Sequence, residues 1–358
     1  MSWGRGLVNS RHTCDIAVAL QRGIPIQPRP FAALAGTLGA SEADVLAVLR
    51  GMLEDGSARR FGAVFDARRL GYRSELCAID VPEADVEVIG ARVAAHTGVT
   101  HAYLRGHPEG LTPFPDVPGL TAVPNLWFTL AVLHNRFERE FERLQRSLAG
   151  YTVMRLPVVR RFKIDVIFDP ARREEGERIR VMAPQQDEAM RPDEGRDVDL
   201  SESQRVLVRA LQGTLPTVAD VYEAIAKPIG WTPDAVIAQL SAWQQTGTLR
   251  RISMVVRHLR IGFTANAMCV WPVPEPQVFT TGRRLAEWSD VTHCYQRLPR
   301  EGWPFTLYAM IHTGSWEATH RLFERLGDDT GLIKGRLLGS LREFKKTSMR
   351  YFGEACER

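Results

Sequence analysis

Two histidines in this chain sit in matching surroundings, and two more end matching hydrophobic runs. His101 lies in Thr100-His101-Ala102-Tyr103 and His293 in Thr292-His293-Cys294-Tyr295. His134 ends NLWFTLAVLH, which starts at Asn125, and His312 ends WPFTLYAMIH, which starts at Trp303. Histidine titrates near neutral pH, so these residues are candidate proton donors and acceptors. Basic residues flank the runs: Arg59, Arg60, Arg250 and Arg251 before them, and Arg160, Arg161, Lys163, Arg342, Lys345 and Lys346 after them. A guanidinium presents a planar fork that grips a carboxylate through two hydrogen bonds. Such cations beside imidazoles and the rings of Tyr103, Tyr295 and Trp303 suit a flat ligand bearing several carboxylates. A tetrapyrrole fits that description.

The same residues reveal an internal duplication. Arg59-Arg60-Phe61 followed by Arg69-Leu70-Gly71-Tyr72 is answered by Arg250-Arg251-Ile252 followed by Arg260-Ile261-Gly262-Phe263. Arg160-Arg161-Phe162-Lys163 is answered by Arg342-Glu343-Phe344-Lys345. With the two histidine elements between them, the matches fall in one order, the mark of a repeated unit. The separation is 191 residues from Arg59 to Arg250 and 178 from His134 to His312, because the first copy has extra residues between Leu104 and Pro124. The copies also differ. Glu343 stands where the first copy has Arg161, and Trp303 where it has Asn125, so the halves are not equivalent. A lone histidine at a strand end is more often a cap or a surface residue; recurrence lifts these four above that reading. His96, His107, His258 and His320 lack counterparts and read as surface residues.

These residues need elements to position them, and each copy predicts the same ones. In the first, apolar spacing gives short helices over 15–21 and 31–38, the latter opened by Pro30. A third opens on Ser41-Glu42-Ala43-Asp44 and carries Val45, Leu46, Leu49, Met52 and Leu53 on one face, ahead of a strand over 58–65. The second copy repeats this with helices over 200–211, 218–226 and 233–245 and a strand over 249–256. Three short helices and a β-ribbon describe a winged helix-turn-helix. A β-α-β-β-α-β alternation follows each, the pattern of a ferredoxin-like sandwich. The fold class is therefore α+β in tandem duplication. Winged units cover 14–66 and 199–257, and ferredoxin-like domains cover 67–170 and 258–353. Residues 171–198, rich in Arg, Glu, Asp, Gln and Pro, read as a solvated linker, and 1–13 as a disordered leader. The insert 106–123 reads as either a lid or a plain surface loop.

Bulk properties narrow the class. A formal charge of +4 suits an acidic ligand or nucleic acid without choosing between them. The five cysteines include no CxxC pair, so neither a disulfide framework nor a thiolate metal site is indicated. Cys77, Cys269 and Cys294 read as small buried hydrophobes. No apolar run reaches the ~18 residues of a membrane span, and no signal segment opens the chain, so a reducing cytoplasm is expected.

A winged helix joined to a ferredoxin-like ligand domain resembles the Lrp/AsnC transcription regulators, with domains of the AsnC/RAM type. A DNA reader must present Arg, Lys, Asn or Gln on its third helix. The first copy's third helix offers only Arg50, and the second offers glutamines and no basic residue. DNA binding is therefore disfavoured; a regulator or a tetrapyrrole-binding sensor stays as the alternative.

The ordered motifs in two tandem units resemble the siroheme decarboxylases of the alternative haem and haem d1 pathways, in which two related subunits pair or are fused. The first copy resembles the subunit with NLW-F-TL and RRFK, the second the one with WP-F-TLY-MIH and REFKK-SMRYF. The resemblance implies loss of CO2 from the C12 and C18 acetates of siroheme to give 12,18-didecarboxysiroheme. It also implies no added cofactor, since siroheme carries its own iron, and a winged-helix scaffold that no longer binds DNA. The two halves would form a pseudo-dimer, open to a further homodimer. His101, His293, His134 and His312 would include the general acids and any axial contact to the siroheme iron. Arg59, Arg60, Arg250, Arg251, Arg160, Arg161, Lys163, Arg342 and Lys345 would hold carboxylates, and Trp303 is the aromatic expected to touch ligand.

Overall fold

The computed structural model describes residues 10–111, 116–121, 123–148, 150–169, 200–332 and 334–353. The expected linker, 171–198, lies outside them. The first half runs α1 (Arg11–Arg22), α2 (Pro30–Leu38), α3 (Glu42–Glu54), β1 (Ala58–Phe65), β2 (Tyr72–Ile79), α4 (Val86–Ala95), β3 (Val99–Gly106), β4 (Leu126–Leu133), α5 (Phe137–Ser147), β5 (Met154–Leu156) and β6 (Val158–Ile164). The second runs α6 (Glu202–Leu211), α7 (Val221–Ala226), α8 (Pro233–Gln245), β7 (Leu249–Val256), β8 (Ala265–Trp271), α9 (Glu275–Ala286), β9 (Val291–Arg297), β10 (Leu307–Thr313), α10 (Trp316–Thr330) and β11 (Arg336–Lys346). Helix α1 begins inside the expected disordered leader because Ser10 caps it, accepting from the Thr13 amide at 3.2 Å.

The winged units hold one surprise. The ribbon expected within each is a single ribbon between them: β1 pairs antiparallel with β7, Phe61 opposite Met254 and Ala63 opposite Ile252. Both sets of helices therefore share one hydrophobic core. Arg50, the one cation on α3, spends its guanidinium on the Thr217 carbonyl at 2.7 and 3.1 Å.

The halves merge again in the larger sheet. Strand order is β5-β2-β4-β3 in the first half and β11-β8-β10-β9 in the second, the ferredoxin-like order in both. Strand β11 pairs with β8 over its first residues and with β3 from Gly339 to Lys346. Beyond Pro157, β6 leaves its own half and pairs with β9. The single closing strand of the first β-α-β-β-α-β unit is thus two, and because only Pro157 separates them, the nine-stranded row returns to its start. Phe162 on β6 packs into the second half's core, and Phe344 on β11 packs against the first half's. The halves form the intramolecular pseudo-dimer.

Candidate active site

Between the shared ribbon and the strands below it lies a cavity of about 1590 Å3, above the ~300–1,000 Å3 of ordinary ligand pockets. Its walls carry thirteen Arg or Lys residues against three Asp or Glu, with five of the chain's nine histidines. A chain of net +4 has concentrated its positive charge here.

Alternation along the strands decides which side chains reach the cavity. Successive strand residues face opposite sides, so β3 turns His101, Tyr103 and Arg105 inward and β9 turns His293, Tyr295 and Arg297 inward. The two triplets are built alike. Each imidazole Nδ1 lies 3.0 Å from the hydroxyl of the preceding threonine, Thr100 or Thr292. Each ring stacks on its tyrosine, at 6.4 and 6.1 Å between centroids. Each arginine lies over that tyrosine.

The same alternation, shifted by a bulge between Arg161 and Lys163 in β6 and another between Glu343 and Lys345 in β11, splits the basic pairs. Arg161 faces the cavity, while Arg160 lies over Phe279 and Lys163 donates to the Trp288 carbonyl at 2.7 Å. On β11, Glu343 and Lys346 face the cavity, while Arg342 pairs with Glu87 and Lys345 donates to the His96 carbonyl at 2.8 Å. Arg160, Lys163, Arg342 and Lys345 therefore hold no carboxylate in this cavity. Trp303 does not line it either: fully buried, it donates to the Tyr308 hydroxyl at 2.7 Å and packs on Trp127 and Phe305. None of the insert's described residues lines the cavity, and Val117 packs into the cluster that holds Trp303.

Arg59, Arg60, Arg250 and Arg251 all line the cavity. Arg59 donates to Ser348 at 2.9 Å and Arg60 to the Ala63 carbonyl at 3.0 Å. The Nε atoms of Arg59, Arg60 and Arg297 and the Nε2 of His258 are buried without a partner. Unmatched donors in such a wall call for an acceptor from a ligand. Asp66 behaves otherwise, binding Arg68, Arg161 and Arg250 at 3.1, 3.3 and 3.0 Å. Burial pushes its carboxyl up, but Arg250 and then Arg68 and Arg161 outweigh this and hold it far below the usual carboxylate range.

All four predicted histidines line the cavity, but His134 and His312 are not equivalents. Asn125 clasps the Val81 backbone through its side chain, and Thr306 does the same to Val273. His101 pairs across to Thr129 and His293 to Met310. Both facts set the strand correspondence at 181 residues, which puts Ala131, not His134, in the place of His312 and Thr306, not Trp303, in the place of Asn125. His134 lies past the end of β4 in a short 3-10 turn, its amide bonded to the Gly71 carbonyl at 2.8 Å.

His258, read from sequence as a surface residue, is buried on the cavity wall, stacked on Phe168 and in edge contact with His312 at 5.0 Å. His96 is also largely covered, close to Glu140 at 3.5 Å, and does not line the cavity. His107 is exposed. Sequence reading missed Arg105, Arg297, Asp66 and His258. For the two arginines the signal was present: Thr-His-x-Tyr-x-Arg at a strand's two-residue spacing in both copies.

Burial, then the nearby cations, sets the imidazoles. Desolvation followed by Lys346 and Arg59 lowers His101 to about 4, and desolvation followed by Arg250 and Arg297 lowers His293 to about 4. Desolvation and Lys346 lower His258 to about 3, and His312 is pushed well down by burial and by His258. The unliganded cavity holds these rings neutral at pH 7.

Known proteins resemble the chain along nearly its whole length. The AsnC-like ligand binding domain matches residues 69–163 and again 260–345, and the siroheme decarboxylase NirDL-like HTH domain matches 15–59. A siroheme decarboxylase of Hydrogenobacter thermophilus is 35% identical over 347 residues, covering 95% of this chain and 94% of that protein. The siroheme decarboxylase beta subunit of Methanosarcina barkeri is 37% identical over 144 residues, which is 40% of this chain and 95% of that subunit. The crystal structure of the siroheme decarboxylase NirDL in co-complex with an iron-uroporphyrin III analogue covers 97% of this chain and 96% of that one, at 30% identity and a TM-score of 0.65.

Proposed function

We infer the activity from kinship: with relatives of about one-third identity along nearly its whole length, the chain belongs to the siroheme decarboxylase family. It is a decarboxylase, and its substrate is siroheme. It removes CO2 from the acetate side chains at C12 and C18 and gives 12,18-didecarboxysiroheme, for haem d1 or alternative haem biosynthesis. In reaction class this is a carboxy-lyase. The observation that carries the reading is the cavity, with thirteen cations facing three acids around five histidines.

Each step replaces the carbon–carbon bond to a carboxylate with a carbon–hydrogen bond: R–CH2–COO⁻ plus a proton gives R–CH3 and CO2. The electron pair stays on the substrate, so no redox partner or cofactor is required. The protein must hold the spectator carboxylates, place the reacting one, and supply the proton. Arg59, Arg60, Arg105, Arg250, Arg251 and Arg297 hold carboxylates. Tyr103 and Tyr295 offer flat faces beside them. The reacting carboxylate enters a partly apolar cavity that favours its departure as neutral CO2.

The acid is made by the substrate. His101 and His293 are neutral while only cations surround them. A polycarboxylate neutralises those cations, adds attraction of its own, and raises both imidazoles toward the range where they donate. Each half supplies one of the two; no further chain is needed for the pseudo-dimer. The work is cytoplasmic, and no single described helix is long and apolar enough to cross a membrane.

Anaerobic incubation with siroheme, followed by mass spectrometry of the extracted tetrapyrrole, tests this. Loss of two CO2 is expected. Siroheme recovered unchanged but spectrally bound would replace the decarboxylase with a sensor or carrier.

A further inference from the structure

The decarboxylation consumes one proton per CO2, two per substrate. Some route must bring those protons in. No such route runs behind His101: Thr100 meets its Nδ1, the positions next along, Ala67 and Ala131, carry methyl groups, and Lys346, opposite it on β11, hydrogen-bonds to His258 instead. The second half has histidines at both corresponding positions, His258 and His312. There Thr292 Oγ1 lies 3.0 Å from His293 Nδ1 and 3.3 Å from His312 Nδ1, bridging the two rings. His312 touches His258 edge-on, and His258 Nδ1 lies 3.4 Å from the Lys346 ammonium.

We propose that Lys346, His258, His312 and Thr292 form a proton path that recharges His293, which makes the second half's imidazole the acid that serves turnover. The proposal rests on the decarboxylase reading. As His293 gives its Nε2 proton to the substrate carbon, Nδ1 takes the Thr292 hydroxyl proton. Thr292 takes the Nδ1 proton of His312, and His312 is refilled at Nε2 by His258, whose Nε2 has no other partner and reaches it by a turn of the ring across their edge contact. Lys346 feeds His258 and recovers its proton from solvent. A neutral imidazole can take a proton on one nitrogen and release one from the other, so no ring on the path need stay charged, and each ring returns to its starting tautomer before the second CO2 leaves. The charged groups around it agree. Arg250, Arg297 and Lys163 face His293, and Lys346 and Arg105 face His312. All are cations, and all oppose a resting imidazolium without blocking transfer. His258, His312 and Thr292 act through His293 and are positioning residues.

Thr292→Val keeps the shape and removes the hydroxyl. Expected is a fall in kcat of about 10²-fold with KM little changed, and a pH profile displaced from the parent's. Thr292→Ser should restore the rate. Thr100→Val should lose far less, and His258→Phe, which keeps the stack on Phe168, should add little to Thr292→Val. Nitrogen NMR of labelled histidine reads the same bond without turnover: Thr292→Val should change the tautomer of His293 in the free protein. Wild-type kcat and pH profile in Thr292→Val, equal losses in Thr100→Val and Thr292→Val, or an unmoved His293 tautomer would each overturn the path. If the wild-type protein releases no CO2 from siroheme, the decarboxylase reading fails, and the tautomer measurement alone decides whether the Thr292 bridge exists.

Discussion

The two ends of the cavity share a frame and differ in their charges. Arg59, His101, Tyr103 and Arg105 at one end repeat as Arg250, His293, Tyr295 and Arg297 at the other. Around that frame the copies diverge. Asp66 stands where the second half has Arg257, Arg161 where it has Glu343, and Ile164 where it has Lys346. Strand exchange adds a twist: Arg161 of the first half serves Tyr295 of the second, and Glu343 of the second serves Tyr103 of the first. Neither half holds a whole site. Duplication supplied a symmetric cradle for carboxylates, and divergence made its ends chemically distinct. An asymmetric substrate can then be held in one orientation.

The sharpest way to break this comparison is to remove one imidazole at a time. His293→Ala should lower kcat by about 10²–10⁴-fold, and His101→Ala by clearly less. Single-turnover CO2 release would read both, and equal losses would make the ends equivalent after all. The charged residues separate the ends by stability. Asp66→Asn removes the partner of three guanidiniums, two of them bonded to it within 3.3 Å from other elements. Breaking such a buried pair costs about 3–5 kcal/mol. Glu343 is open to the cavity, and Glu343→Gln should change stability by only about 0–1 kcal/mol. Urea unfolding of the two variants compares them directly.

Much of this architecture was legible in the sequence because it rests on local signals. Caps such as Ser41 and Thr232, and the β-branched and apolar run in 249–256, mark elements whose observed bounds agree with them. Pairing across the duplication was not legible. Nothing local tells β1 to pair with β7, or β6 to leave its half after Pro157. Likewise, a run such as Arg160-Arg161 looks like one site until the pleat sends its members to opposite faces. The match of His134 with His312 failed for a related reason: similar hydrophobic runs align equally well three residues apart, and only the ladder fixes the register. His258 looked exposed because its cover, Phe168 and His312, comes from remote segments.

The strand exchange itself is open to a smaller, paired test. A Cβ on Gly90 of α4 would come within 2.5 Å of the Phe344 ring, and one on Gly282 of α9 within 2.4 Å of Phe162. Each phenylalanine belongs to the opposite half. Gly90→Ala and Gly282→Ala should each destabilise by about 1–3 kcal/mol through overpacking. Combining Gly90→Ala with Phe344→Leu should recover part of that loss, as should Gly282→Ala with Phe162→Leu. A loss in one half alone would mean the two exchanged strands are docked unequally.

The gentlest test is acid, because it reads the histidines that only the second half has. In the folded, unliganded protein His101 and His293 sit at about 4 and His258 at about 3, against 6.5 for an ordinary histidine. Between those values the unfolded chain binds protons that the folded chain does not. Stability should therefore be intact above about pH 6.5 and fall as pH drops toward 4, each such histidine steepening the fall by up to about 1.4 kcal/mol per pH unit. His258→Ala with His312→Ala gives the second half the residues of the first. Whatever the cavities cost at neutral pH, that double variant should show a shallower decline in Tm between pH 6.5 and 4 than the parent. Ligand should reverse the sign of the effect: a polycarboxylate raises the same groups, so binding an iron-uroporphyrin at pH 6.5 should take up protons. Calorimetry in buffers of different ionisation enthalpy counts them. Equal acid slopes would mean that His258 and His312 are not held neutral by the fold. Proton release on binding would remove the substrate-made acid from the mechanism.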